Sequence, residues 1–146
     1  MQVFVLMAVV LSPILAGVAI HMIRRALRNR LDAMVEDLSH EEVVRSTVRA
    51  NFFGETSRGL TQVRGNGVLV LTRRALYFKM VLAKREVTIP LESIRVVDTS
   101  RFHMGKSVGM RLLRVKYGAP GQEVTAAWWV DDVDGWVRDL ERLIHV

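Results

Sequence analysis

Three features of the sequence predict a mainly β fold with α: one N-terminal transmembrane helix, then a seven-stranded antiparallel half-open barrel capped by a C-terminal helix. Residues 2–23 carry no fixed charge. Apolar residues then alternate with polar ones, or gather in short runs, through residues 47–129, and after residue 130 they return at intervals of three and four. The chain has 146 residues, 50% of them hydrophobic, enough for one core and one appendage but not for two independent domains. With no cysteine it has no disulfide, no thiolate metal site and no cysteine nucleophile. Lys and Arg number 21 against 15 acids, so the favoured partner is anionic.

The N-terminal run 3–20 is apolar apart from Ser12. As a helix, residues 2–23 reach roughly 33 Å, the thickness of a hydrocarbon core. Pro13 predicts a mild kink, with Ser12 beside it to satisfy part of the freed backbone. Small residues at 16–19 also suit a cleaved signal peptide, but no basic region precedes the run, whereas Arg24, Arg25, Arg28 and Arg30 follow it. The positive-inside bias therefore predicts a transmembrane helix over 1–23 in an inner (plasma) membrane protein, single-pass, with its N-terminus out and its C-terminal domain cytoplasmic.

Residues 24–42 read as a juxtamembrane amphipathic helix and linker, with Leu27, Leu31, Met34, Val35 and Leu38 at helical spacing. Its basic first half suits anionic headgroups at about 1 kcal/mol per residue, or serves as an ordinary stop-transfer flank. Ser39 and Glu42 have the spacing of a capping box.

A folded domain is expected over 43–146. Val48, Ala50 and Phe52 alternate with polar neighbours, the pattern of a strand buried on one face. Residues 54–59 break it. The apolar runs 67–72 and 75–80, separated by Arg73 and Arg74, read as a hairpin. Strand patterns follow at 86–89, ended by Pro90, then at 93–98, 110–117 and 123–129, with a turn over 118–121. Val133, Trp136, Val137, Leu140, Leu143 and Ile144 then form one helical stripe, with Asp131, Asp132 and Asp134 at its positive end. Seven short strands hide their edges economically by curling into a half-open barrel with the helix plugging one end.

The string from Gly59 to Phe78, which contains Gly-Val-Leu-Val-Leu-Thr and Leu-Tyr-Phe, together with Ile89-Pro-Leu-Glu-Ser-Ile94, resembles bacterial PH-like domains of the GRAM type. The resemblance covers residues 43–145 and includes a tryptophan in the closing helix, Trp136. It implies a PH-like barrel used for binding, and does not choose among phosphoinositides, other lipids, peptides and proteins. The segment 54–60 carries one arginine, Arg58, and so lacks the Lys/Arg pattern of lipid-binding PH domains.

Signatures of catalysis are missing. Met104-Gly105-Lys106-Ser107 imitates the end of a Walker A loop, but Ser100 stands where its first glycine belongs and a strand pattern follows. Gly65-Asn66-Gly67 lacks the third glycine of a dinucleotide fingerprint. His21, His40, His103 and His145 are scattered without metal spacing, and no serine sits in a nucleophile elbow. No enzyme, cofactor or metal is expected.

Residues 46–130 hold 14 Lys plus Arg against 5 acids, so the barrel is the basic part. Arg73-Arg74 and Lys84-Arg85 fall at strand ends and are expected to gather at one rim, with Arg111, Arg114 and Lys116 on a shared outer face. These seven, with the juxtamembrane arginines, are the candidate lipid or partner contacts; keeping sheet edges soluble explains them equally well. Trp128 and Trp129 point to opposite faces, one to the core and the other available to a lipid or partner. The expected function is a membrane-anchored module that recognises a protein partner or anionic lipid at the cytoplasmic face. A structural subunit or scaffold of a membrane complex is the alternative, or a secreted binding protein if the N-terminal segment is cleaved. Membrane lipids and an unidentified protein are the expected partners; nucleic acid is not, because the basic residues lack interleaved exposed aromatics.

Overall fold

The computed structural model describes residues 2–38 and 40–145, with side chains from residue 13 onward. One long helix, α1 (Gln2–Asp37), precedes seven strands: β1 (Val43–Glu55), β2 (Gly65–Thr72), β3 (Ala75–Met80), β4 (Glu86–Pro90), β5 (Ile94–His103), β6 (Lys106–Tyr117) and β7 (Val124–Trp129). A second helix, α2 (Val133–Ile144), follows. The strands form a single antiparallel sheet in the order β4-β3-β2-β1-β7-β6-β5. The seven strands and the closing helix are as expected.

The barrel closes around an aromatic cluster in which Phe52, Phe78 and Trp128 have ring centroids 5.2 to 6.0 Å apart. The Trp128 Nε1–H is buried without an acceptor among the described residues. Trp136 and Leu140 of α2 are fully buried against this core. Asp132, in a left-handed conformation at φ 52°, caps α2 by accepting from the Gly135 amide at 3.1 Å. Asp132 and Asp139 together hold Arg45 of β1 at 3.0 and 2.6 Å, and that guanidinium lies 5.7 Å from the centre of the Trp136 ring.

Strands β5 and β6 are longer than their hydropathy suggests. They run to a two-residue turn at Met104 and Gly105, whose φ values of 51° and 76° are those of a type I′ hairpin. The segment that imitates a phosphate loop is thus a hairpin tip.

Strand β2 is buried on both faces. Leu69 and Leu71 point into the barrel, while Val68 and Val70 point outward and pack with Met34 in a second cluster that includes Leu27, Leu31 and Leu38. The stripe of α1 expected beside a membrane therefore covers the sheet. Arg30 Nη1 donates to the Met80 carbonyl at 3.0 Å and fixes the rotation of the helix.

The transmembrane expectation is corrected: among the described residues no helix is long and apolar enough to cross a membrane. The described part of the run, residues 13–23, contains His21 and leads into Arg24 and Arg25. Residue 1 and the side chains of 2–12, on which the rest of that expectation stood, lie outside the described residues, as does Ser39 of the expected capping box. The single-pass inner-membrane placement falls with the span.

Because Trp136 closes the core, Trp136→Ala is expected to destabilise the fold by about 3–5 kcal/mol. Urea denaturation read by circular dichroism measures the loss.

Candidate functional site

Alternate connections of an antiparallel sheet lie at opposite ends, and this sorts the basic residues. The β2–β3 turn carries Arg73 and Arg74, whereas the β3–β4 loop carries Lys84 and Arg85. The six residues of β3 separate them by roughly 20 Å. The expected gathering at one rim does not occur. At the first end Arg73 pairs with Glu42 at 2.6 Å, and Arg74 is exposed in a concavity that also holds Glu41, Glu92 and the end of α2.

Arg111 lies in a bidentate pair with Asp134 at 3.1 and 2.7 Å, tying β6 to the start of α2. Arg114 grips Asp98 through two bonds of 2.7 and 2.6 Å, and Lys116 sits 3.7 Å from Glu123. Each of the three has a carboxylate partner, and the expected shared outer face is not found: Arg111 shares the parity of the core residues Leu113 and Val115 and meets α2, while Arg114 and Lys116 lie on the outer face.

The other end keeps a surplus. Arg30 of α1, Arg58 of the β1–β2 loop, Lys79 of β3, and Lys84 and Arg85 of the β3–β4 loop surround an open cavity of about 540 Å³. Two carboxylates answer these five cations: Glu86 pairs with Lys79 at 2.8 Å, and Glu55 pairs with Arg85 and, at 3.6 Å, with Arg58. Among the described residues Arg30 and Lys84 have no carboxylate partner, and Arg64 on the β1–β2 loop is exposed.

Beneath this cavity Glu55 is almost fully buried at the mouth of the barrel. It accepts from Arg85 and from the Tyr117 hydroxyl at 2.6 Å. Burial, helped by the adjoining Glu55 carboxylate, pushes the Tyr117 phenol well above its ordinary value, so it remains a hydrogen-bond donor. Arg85 also lies 5.6 Å from the centre of the Phe52 ring. Arg85 is therefore committed to the fold, while Arg58 and Lys84 stay exposed around it.

The β5–β6 tip reaches the same end. Gln62 of the β1–β2 loop donates to Met104 Sδ at 3.6 Å, and the buried His103 ring lies 3.0 Å from the Gly54 carbonyl. Burial holds the His103 imidazole below its usual value, against the bond to Gly54 and with the help of Arg114 and Arg64. His103 and Glu55 are absent from the candidates read in the sequence; a carboxylate followed by Thr-Ser-Arg-Gly looks like loop.

Of the juxtamembrane arginines, Arg30 reaches this cavity, Arg24 and Arg28 line a separate cleft, and Arg25 is exposed. Among the described residues no three His, Asp or Glu side chains converge as they would for a metal ion.

No protein-family model matches the chain, and no curated protein does. Among the similar solved structures are two PH-sized domains. One is the C-terminal domain of an unknown protein from Leishmania infantum, at 18% identity and a TM-score of 0.60, over 82% of this chain and 98% of that one. The other is the Vps36 N-terminal PH domain, at 14% identity and a TM-score of 0.53, over 72% of this chain and 80% of that one. At these identities the likeness shows the fold alone, and the fold is PH-like.

Two tests follow from this geometry. Glu55→Gln leaves the Arg85 guanidinium with its countercharge removed, and is expected to cost about 3 kcal/mol in chemical denaturation. The depressed His103 value means that the unfolded chain takes up a proton near pH 6.5, before the folded one does. Stability should therefore decline as pH falls through that value, and His103→Gln should flatten this segment of the urea-midpoint profile.

Proposed function

We propose that this chain is a binding module whose basic end holds an anionic lipid surface. The observation that carries the reading is the meeting of surplus cations and exposed aliphatic side chains on the same two loops. Leu60 and Val63 on the β1–β2 loop are 60% and 58% exposed, and Leu82 on the β3–β4 loop is 91% exposed. They stand beside Arg58, Arg64 and Lys84. Aliphatic side chains in this position enter the headgroup–acyl boundary while the cations meet phosphates and carboxylates outside it.

Helix α1 supports the same end. Arg30 at the Met80 carbonyl and Met34 over Val68 and Val70 direct the helix across the sheet, toward the end that carries the two loops. Residues 24–38 cover about 20 Å, the length of β3, and residues 13–23 extend the helix upstream of them. There Ile14, Leu15, Val18, Ile20, Met22 and Ile23 are exposed. These exposed apolar side chains add to the surface that lipid would cover at this end. The PH-like fold is compatible with binding and leaves the ligand to the site.

Sedimentation of the full chain with phosphatidylcholine vesicles, with and without 30% phosphatidylserine, tests the proposal. Binding is expected only to the anionic vesicles, and it should weaken at high salt. At about 1 kcal/mol per cation, Arg58→Gln with Lys84→Gln should reduce affinity roughly 30-fold. Arg73→Gln with Arg74→Gln, at the opposite end, should leave it unchanged. Equal binding to neutral vesicles, or an unaffected Arg58/Lys84 variant, contradicts the reading.

A further inference from the structure

The cleft between α1 and the outer face of β1, β2 and β7 shares no residue with the basic end, and its chemistry is more specific. It encloses about 560 Å³ and is lined by Arg24, Arg28 and Arg49, by the Asn66 carboxamide and by the Trp129 indole, with Leu27 and Val48 completing the wall. No carboxylate is in this lining. The nearest recorded is Asp131, at 3.8 Å from Arg49 and outside the lining.

We propose that this cleft binds a phosphomonoester with an apolar body. Arg24 and Arg28 are one helical turn apart on α1 and face Arg49 across the cleft, so three planar guanidinium forks converge from two elements. A dianionic phosphate offers enough acceptor positions to engage all three, which one carboxylate does not. Trp129, Leu27 and Val48 supply the surface for an apolar substituent. The volume is that of a small-molecule site.

The fold holds these groups in place before any ligand arrives. Leu27, between the two arginines, packs with the cluster built on Met34, Val68 and Val70, and the Arg30 bond to Met80 sets the helix rotation. Trp129 is turned outward because Trp128 fills the core and side chains alternate along β7. Its ring is half-buried, whereas the other two tryptophans are fully buried at 0% and 1% exposure, so Trp129 is the natural reporter.

The test titrates the full chain, by calorimetry and tryptophan emission, with phenyl phosphate, with monomeric dihexanoylphosphatidic acid and with inorganic phosphate. One saturable site is expected for the two esters, with the tighter of them telling a soluble ligand from a lipid headgroup. Trp129→Phe should abolish the emission change. Arg28→Gln or Arg49→Gln should weaken binding at least tenfold with thermal unfolding unchanged, and Arg28→Lys should recover part of the loss. Arg58→Gln with Lys84→Gln should have no effect, which separates this site from the basic end. The proposal is overturned if neither ester saturates, if inorganic phosphate binds as tightly as both, or if affinity follows Lys84 and Arg58 instead of Arg28 and Arg49.

Discussion

Val68 and Val70 point away from the barrel and are nevertheless fully shielded from solvent, because the apolar stripe of α1 lies over them. A strand buried on both faces needs a cover, and this one is covalently attached some thirty residues upstream. Burying Met34 and its neighbours on the sheet is worth several kcal/mol at about 1.5–3 kcal/mol for each fully buried side chain. That term sets where α1 lies, and the position of α1 decides where Arg24, Arg28 and Arg30 end up. One hydrophobic contact thereby builds the Arg24 and Arg28 wall of the cleft and adds Arg30 to the loop cations of the basic end.

The charge balance is organised by the same frame. At the α2 end most of the cations have been met, Arg45 by Asp132 and Asp139, Arg111 by Asp134 and Arg73 by Glu42, while Arg74 is exposed. The exposed pairs among these contribute little stability individually, but they leave small net fields. At the other end the loops supply more cations than Glu55 and Glu86 can neutralise. A basic composition is thereby converted into a basic end, and charges within a Debye length of one another act together on an anionic surface.

Much of the sheet was legible because local chemistry and tertiary environment agree. The Arg73-Arg74 turn, Pro90 at the end of β4, and Trp136 in the closing helix all sit where alternation and turn residues place them. The charged end was less legible. Hairpin connectivity puts Arg73-Arg74 and Lys84-Arg85 on opposite ends of β3, a consequence of strand direction that residue type does not reveal. The stripe Leu27, Leu31, Met34 and Leu38 has helical spacing whether its partner is lipid or sheet. The clue to its partner lay elsewhere, in the unbroken apolar run of β2, which is how two-sided burial looks in a sequence. The same ambiguity produced the transmembrane expectation: an uncharged run advertises burial without naming the burying surface.

Strand β1 connects the two sites, and its pairing slips at three places, between Val43 and Arg45, between Thr47 and Ala50 and between Phe52 and Gly54. Its pairing with β7 slips between Phe52 and Gly54, and Gly54 adopts φ +108°. That conformation is what requires glycine; a Cβ there would also lie 2.7 Å from the end of the Gln62 side chain and displace it. Along a regular strand Phe52 and Glu55 would face opposite sides. The slip breaks that parity, so that Phe52 fills the core while Glu55 enters the barrel mouth to meet Arg85 and Tyr117. Before the slip, Arg49 remains on the outer face, pointing toward α1. Ordinary alternation thus sends Arg49 to the cleft and Phe52 to the core, and the slip is what returns Glu55 to the interior side.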